Sequence, residues 1–289
     1  MDPMEMQRVY ARVFSFEFYP PKTQEGMQKL RNTWKQLAVL HPRFFSVTFG
    51  AGGSTRDRTL ETVLAIQKES PIEAAPHLSC IDSTRTGIRE ILHRYRAAGI
   101  RHIVALRGDV PSGAVEVGEF RYANELVVFI RAETGAHFHI EVAAYPECHP
   151  QALSAEADLR NFKRKVEAGA DSAITQYFYN VDAYARFVEG CARLGLALPI
   201  VPGIMPITNY VQLARFSAAC GAEIPRWLSK RLEDFKDDLQ SLRAFGIDVV
   251  TALCARLLEI GAPGLHFYTL NKPEATLAIW TNLGLSEAG

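Results

Sequence analysis

Cysteine is scarce and scattered in this chain. Five residues, Cys80, Cys148, Cys191, Cys220 and Cys254, make an odd number without a C-x-x-C spacing, which argues against a disulfide framework or a cysteine zinc site and predicts reduced thiols. Net charge is lacking as well: 32 Lys+Arg balance 32 Asp+Glu, so the global basic footprint of a nucleic-acid binder is missing. No apolar run approaches the roughly 18 residues that cross a bilayer. The start, Met1-Asp2-Pro3-Met4-Glu5, has no basic stretch followed by an apolar one, and a cytoplasmic location is expected. Neither G-x-G-x-x-G nor a Walker signature occurs. The nearest run, Gly50-Ala51-Gly52-Gly53-Ser54, lacks the acidic residue that should end the following strand, and reads as a loop whose backbone can approach a ligand.

What the chain does have is rhythm. Its 289 residues, 48% of them hydrophobic, suffice for one large core. Short apolar runs rich in Val, Ile, Phe and Tyr alternate with stretches of helical period to the end, without a linker. Strands are expected over 12–18, 43–49, 73–79, 101–106, 138–144, 172–178, 199–204 and 264–269. Helices are expected over 24–40, 55–70, 84–98, 120–134, 155–169, 181–195, 208–220, 225–236, 239–260 and 273–284. Cap chemistry stands at Ser54 or Thr55, at Ser83 or Thr84, and at Ser154, and glycines follow several helices. About eight strand–helix units predict an α/β fold: a single (β/α)8 TIM barrel spanning 1–289, with extra helices near the C-terminus. A doubly wound open sheet is the alternative.

One carboxylate stands out. In Phe14-Ser15-Phe16-Glu17-Phe18-Tyr19-Pro20-Pro21, period-two alternation puts the three Phe on one face and Ser15, Glu17 and Tyr19 on the other. A glutamate inside such an aromatic strand is either a salt-bridged structural group or a catalytic acid. In a barrel, chemistry belongs at the carboxyl ends of the strands. The unusual polar residues fall there: Glu17; Thr48; His77; Arg107, Gly108 and Asp109; Tyr145 and His149; Gln176; Tyr268 and Lys272. Singly each is weak. A lone histidine such as His77 is more often structural, and Arg107 with Asp109 could simply pair. Only His77 and His149 are placed as ligands, so no metal is expected. Arg107, Asp109, Tyr145 and His149, with Asn161, Arg164 and Lys165 on the next helix, suit a large polar cofactor carrying phosphates and hydroxyls. A solvated helix face is the plainer reading of Lys163-Arg164-Lys165.

Six segments in order resemble the bacterial 5,10-methylenetetrahydrofolate reductase family: Phe16-Glu17-Phe18-Tyr19-Pro20-Pro21, Ser46-Val47-Thr48-Phe49-Gly50-Ala51, Ala74-Ala75-Pro76-His77-Leu78, the stretch from His102 to Asp109, the stretch from Ala143 to Pro150, and His266-Phe267-Tyr268-Thr269-Leu270-Asn271. The resemblance implies a barrel holding FAD, with NADH or NADPH as electron donor and methylenetetrahydrofolate as the second substrate, supplying methyl groups for methionine synthesis. By analogy it also implies a homo-oligomer, dimer or tetramer. Glu17 would then be the general acid, giving a proton to N10 as the imidazolidine ring opens. At its reference pKa a glutamate is protonated in only about one molecule in 500 at pH 7, so a site that raises the pKa is useful. Asp109 would sit near the flavin and pterin and join Glu17 in catalysis. Thr48, His77, Arg107, Gly108, Tyr122, Ala143, Tyr145, His149, Asp158, Asn161, Arg164 and Lys165 would take FAD roles. Gln176, Tyr210, Tyr268 and Lys272 would meet substrate. Lys272 stands where the family commonly has Arg, and it meets a folate glutamate as a point charge rather than a two-pronged fork. Proline dehydrogenase, another FAD barrel enzyme, and a non-catalytic folate-binding barrel are the other readings.

Overall fold

A computed structural model describes residues 3–49, 53–108, 118–235 and 237–285. In chain order the elements are α1 (Pro3–Arg8), β1 (Val13–Phe18), α2 (Gln24–Ala38), β2 (Phe44–Val47), α3 (Gly53–Glu69), β3 (Glu73–Ser79), α4 (Arg85–Ala97), β4 (His102–Leu106), α5 (Ala123–Thr134), β5 (His139–Ala144), α6 (Ala155–Glu167), β6 (Ser172–Thr175), α7 (Val181–Arg193), β7 (Ile200–Val201), β8 (Gly203–Ile204), α8 (Tyr210–Cys220), α9 (Arg226–Asp234), α10 (Leu239–Ile260), β9 (Gly264–Tyr268) and α11 (Glu274–Asn282). The strands form one nearly closed sheet in the order β7-β6-β5-β4-β3-β2-β1-β9-β8, the α/β fold of a (β/α)8 barrel.

Beyond shifted ends, such as β6 stopping at Thr175 and α3 starting at Gly53 ahead of Ser54 and Thr55, two elements differ from the sequence expectation. The strand expected over 199–204 is two short ones, because Pro202 has no N–H to give a ladder. Its carbonyl still accepts from His266 N at 2.9 Å. The added helix α1 is too short to hold itself. Buried Gln7 anchors it, donating through Nε2 to Leu198 O at 3.1 Å and accepting from Ile200 N at 2.9 Å.

Local chemistry explains the regular elements. Thr23 caps α2, its Oγ1 accepting from Gly26 N at 3.0 Å, and Leu30, Trp34 and Leu37 then recur at helical spacing as the buried stripe. Thr84 caps α4 in the same manner through Gly87 N. Strand β1 is enclosed on both faces, as parallel strands are: Phe16 and Phe18 are buried on one, Ser15 and most of Glu17 on the other. Each buried Phe contributes about 1.5–3 kcal/mol over an exposed one.

The chain divides into two compact units. One comprises Met1–Phe14, Ala144–Asn161 and Ile174–Gly289; the other comprises Ser15–Ala143 and Phe162–Ala173. All five cysteines are free thiols, and burial pushes Cys80 and Cys191 up to about 12. Among the described residues no helix is long and apolar enough to cross a membrane.

Candidate active site

In the unit containing β1 to β4, the strand register brings Glu17 to a histidine. Glu17 pairs with Ser46 on β2, and Ser46 with Ala75 on β3. Partners in register share a face, so His77, two residues beyond Ala75, projects on that face too. Side chains on β1 and β3 stand about 10 Å apart across β2, and small, fully buried Ser46 between them leaves room to meet. Glu17 Oε2 comes within 3.3 Å of His77 Nε2, with the two side chains 17% and 9% exposed. The contact lies off the hydrogen-bond axis, and Nε2 has no hydrogen-bond partner among the described residues. A carboxyl and an imidazole so placed can pass or hold one proton.

Strand β4 ends in a turn pinned to β3. Ile81 N donates to Arg107 O at 2.7 Å, Cys80 N donates to Leu106 O at 3.1 Å, and Ser79 Oγ donates to Arg107 O at 2.8 Å. Gly108 has φ 88°, and a Cβ there would lie 1.9 Å from Ser79 Oγ. Both the backbone angle and the space therefore require glycine. Ser79 was not singled out from sequence, although it ends a strand beside the Arg107 turn. Asp109 lies outside the described residues, as do Gly50, Ala51 and Gly52 of the glycine-rich run. Thr48 is half-buried, its N donating to Phe18 O at 2.8 Å and its O accepting from Thr59 Oγ1 at 2.9 Å. Tyr122 precedes α5 and is 58% exposed. Arg164 is exposed. Lys165 turns back from α6, donating through Nζ to Ala143 O at 2.5 Å, while Lys163 pairs along the helix with Glu167 at 3.6 Å. The three basic residues thus do not share one solvated role.

The second unit holds the remaining positions. After β5 the chain turns through Cys148 at φ 84°, an uncommon angle for a residue with a side chain. Asp158 Oδ2 accepts from His149 N at 2.8 Å, and His149 Nδ1 accepts from Gln151 N at 3.0 Å. The acceptor role of Nδ1 assigns the ring proton to Nε2. The Tyr145 and His149 rings meet edge to face at 4.5 Å. Burial pushes the Glu147 carboxyl in this turn above its usual range; it accepts from Glu223 N at 2.8 Å. Asn161 is exposed. Gln176 Oε1 accepts from Tyr177 N at 3.0 Å, so the amide's remaining polar atom, its nitrogen, is a donor.

Around Tyr268 the packing is tight. Its hydroxyl donates to Thr175 O at 2.7 Å, and Gly203 N donates to Thr175 Oγ1 at 2.9 Å. Thr175, not singled out from sequence, therefore ties the ends of β6, β8 and β9. Beyond Tyr268, Leu270 and Asn271 adopt φ 52° and 58°, and Lys272 N closes the turn on Thr269 O at 3.0 Å with its side chain exposed. Tyr210 opens α8, its hydroxyl 2.6 Å from Ser229 Oγ on α9.

The family model described as methylenetetrahydrofolate reductase matches residues 5–284. The chain is 44% identical over 271 residues to the 5,10-methylenetetrahydrofolate reductases of Salmonella typhimurium and Escherichia coli, covering 94% of this chain and 90% of each. It is 42% identical over 288 residues to a probable methylenetetrahydrofolate reductase (NADH) of rice, covering 95% of this chain and 48% of the plant protein. Among solved structures, an uncharacterised Clostridium thermocellum protein that binds two copies of 5-methyl-5,6,7,8-tetrahydrofolic acid superposes with a TM-score of 0.67 at 16% identity, covering 99% of both chains; at that identity it shows the fold alone. The chain is an oxidoreductase belonging to the methylenetetrahydrofolate reductase family.

Proposed function

We propose that this chain reduces 5,10-methylenetetrahydrofolate to 5-methyltetrahydrofolate with a nicotinamide donor through bound FAD, in two half-reactions that use one site in turn. The 44% identity to the enterobacterial reductases carries the reading, and the buried Glu17–His77 contact supplies a candidate proton site within it. Several plant relatives carry NADH in their names, which favours NADH over NADPH. A cytoplasmic homo-oligomer, serving methionine synthesis, completes the proposal.

The residues fit FAD. His77 Nε2 is a buried polar atom with no hydrogen-bond partner among the described residues, which suits a ligand heteroatom. Arg107, Arg164 and Lys165 are cations of the kind that meet a diphosphate, and Asp158, Tyr145 and His149 offer partners for hydroxyls and an adenine ring. The Gly108 turn keeps its backbone close to β3 and brings no side chain of its own. When bound, FAD carries reducing equivalents from the nicotinamide to the methylene carbon of the folate.

The chain's own part is to place a proton and shut out water. Glu17 holds the proton that N10 needs as its bond to the methylene carbon breaks, and the His77 contact positions that carboxyl. Gln176 and Tyr268 orient the pterin, Tyr210 packs against substrate, and exposed Lys272 meets the glutamate tail. Asp109 would polarise the pterin.

Anaerobic stopped-flow on FAD-loaded protein tests this. NADH should bleach the flavin and methylenetetrahydrofolate should restore it. Glu17→Gln should keep the first half and lose at least about 100-fold in the second. Wild-type flavin that bleaches yet is never restored by the folate would overturn the substrate; a Glu17→Gln protein restored at the wild-type rate would remove Glu17 from the acid role.

A further inference from the structure

A second constellation lies at the other end of the strands and belongs to none of this chemistry. His102 and His139 are the first residues of β4 and β5 and are direct register partners. Glu141 follows His139 by two positions and so projects on the same face. The turn that ends β4 begins at Arg107, five residues along from His102, roughly 16 Å away along the strand. We propose that His102, His139 and Glu141 form a binding site for a divalent transition-metal cation, best matched by zinc, at the amino-terminal ends of β4 and β5.

Donor type, spacing and burial support it. Two imidazoles and a carboxylate are a donor set that zinc accepts with a fourth position left open. Glu141 Oε1 stands 3.3 Å from His102 Nε2 and 3.6 Å from His139 Nε2. The three ligand atoms all lie within 4.8 Å of one another. Metal–nitrogen bonds of 2.0–2.1 Å in a tetrahedron set the ligand edges at about 3.3 Å, so the two shorter separations already match. The polar atoms at the centre are costly as they stand: His102 and Glu141 side chains are 5% and 4% exposed, and His102 Nε2 and Glu141 Oε2 have no hydrogen-bond partner among the described residues. A cation held through Glu141 Oε1 would give His102 Nε2 the partner it lacks.

The surroundings suit entry and support. His139 is 46% exposed and borders a cleft of about 510 Å³ that Arg131, Phe138 and Asp171 also line, which gives an ion a path from solvent. Asp171 Oδ2 lies 4.0 Å from His139 Nδ1, the side away from the proposed ion, where a carboxylate commonly orients a metal-bound imidazole. His139 Nε2 lies 2.6 Å from Ser172 Oγ, a hydrogen bond that a cation would displace. The plainer alternative is a buried ion cluster in which the two histidines serve Glu141 alone.

Isothermal titration of the full-length, chelator-treated protein with zinc chloride, in the absence of folate and NADH, decides between them, with cobalt(II) absorbance as a second reading. One high-affinity zinc per chain is expected, with an intense visible cobalt band of tetrahedral type. Removing outer-shell partners alone costs metal sites about 10–100-fold, so His139→Ala should weaken binding by at least that much. Because Glu141 is buried and its variants could unfold, half-exposed His139 carries the test, and Asp171→Asn provides a milder second variant with an expected weakening of about tenfold. No zinc uptake by the wild type, or uptake unchanged in His139→Ala, overturns the proposal. Neither result touches the reductase reading, which the flavin experiment tests alone.

Discussion

Gly203→Ala probes how tightly the site's framework is built. Gly203 is not at a left-handed angle, so space alone forbids a side chain. A Cβ would lie 2.1 Å from Thr175 O and 2.7 Å from both Cε2 and the hydroxyl of Tyr268. A backbone carbonyl cannot rotate aside, so β8 must move away from the end of β6 by about an ångström. Overpacking of this kind costs about 1–3 kcal/mol. The displacement also strains the Gly203–Thr175 and Tyr268–Thr175 hydrogen bonds, at about 0.5–1.5 kcal/mol each if broken. The lower chain entropy of alanine in the unfolded state offsets about 0.4–1 kcal/mol. The net expectation is a loss of about 2–4 kcal/mol. For 289 residues the unfolding entropy is about 0.6 kcal/mol/K, so Tm should fall by about 3–7 °C. Tyr268→Phe removes the hydroxyl without adding volume and should cost only about 1 kcal/mol. Calorimetry and urea unfolding of both variants provide the test. A Gly203→Ala protein within 1 °C of wild type would show that the β6–β8 approach is looser than described, and would refute the argument.

Other outcomes follow from the same contacts. Gln7→Leu leaves Leu198 O and Ile200 N without their partner in a buried place and should cost about 2–4 kcal/mol in urea unfolding, whereas loss of a merely local helix would cost under 1. Lys272→Arg should lower KM for methylenetetrahydrofolate about fivefold if a second charge-assisted bond of about 1 kcal/mol forms, while an unchanged KM removes Lys272 from the tail contact. Buried Cys80 and Cys191, pushed up to about 12, hold almost no thiolate at pH 8, so a disulfide reagent should label only half-buried Cys148 and Cys220 quickly; fast labelling of a third thiol contradicts the packing.

Much of the fold was legible because the strands are short apolar runs bounded by punctuation, and because enclosure on both faces leaves little room for ambiguity in β1, β2 and β3. Pro202 was visible too, yet its cutting of 199–204 depends on whether the ladder needs that N–H, a fact of pairing rather than of sequence. Helix α1 was illegible since its six residues gain stability from contacts almost two hundred positions away. At the site, Glu17 stood out by residue type, but its neighbour His77 lies 60 residues on and becomes its partner only through a register passing over Ser46. Lys165 reads as a phosphate ligand from its residue type and its place on the helix after β5, or as part of a solvated face, while its Nζ donates to Ala143 O. His139 and Glu141 drew no notice because alternating polar residues at a strand's start look like an ordinary solvent-facing edge.

The Gln7 anchorage has a bearing on how the chain is made. Leu198 and Ile200 are synthesised 191 and 193 positions after the residue that holds them, and the neighbouring Arg8 Nη2 reaches still further, to Glu259 O at 2.6 Å. A helix of six residues does not persist alone in water. On a ribosome adding about 5–20 residues per second, α1 therefore waits roughly 10–40 s for its partner to be made. During that interval α1 is without its anchorage, so its docking follows the synthesis of elements far along the chain rather than its own.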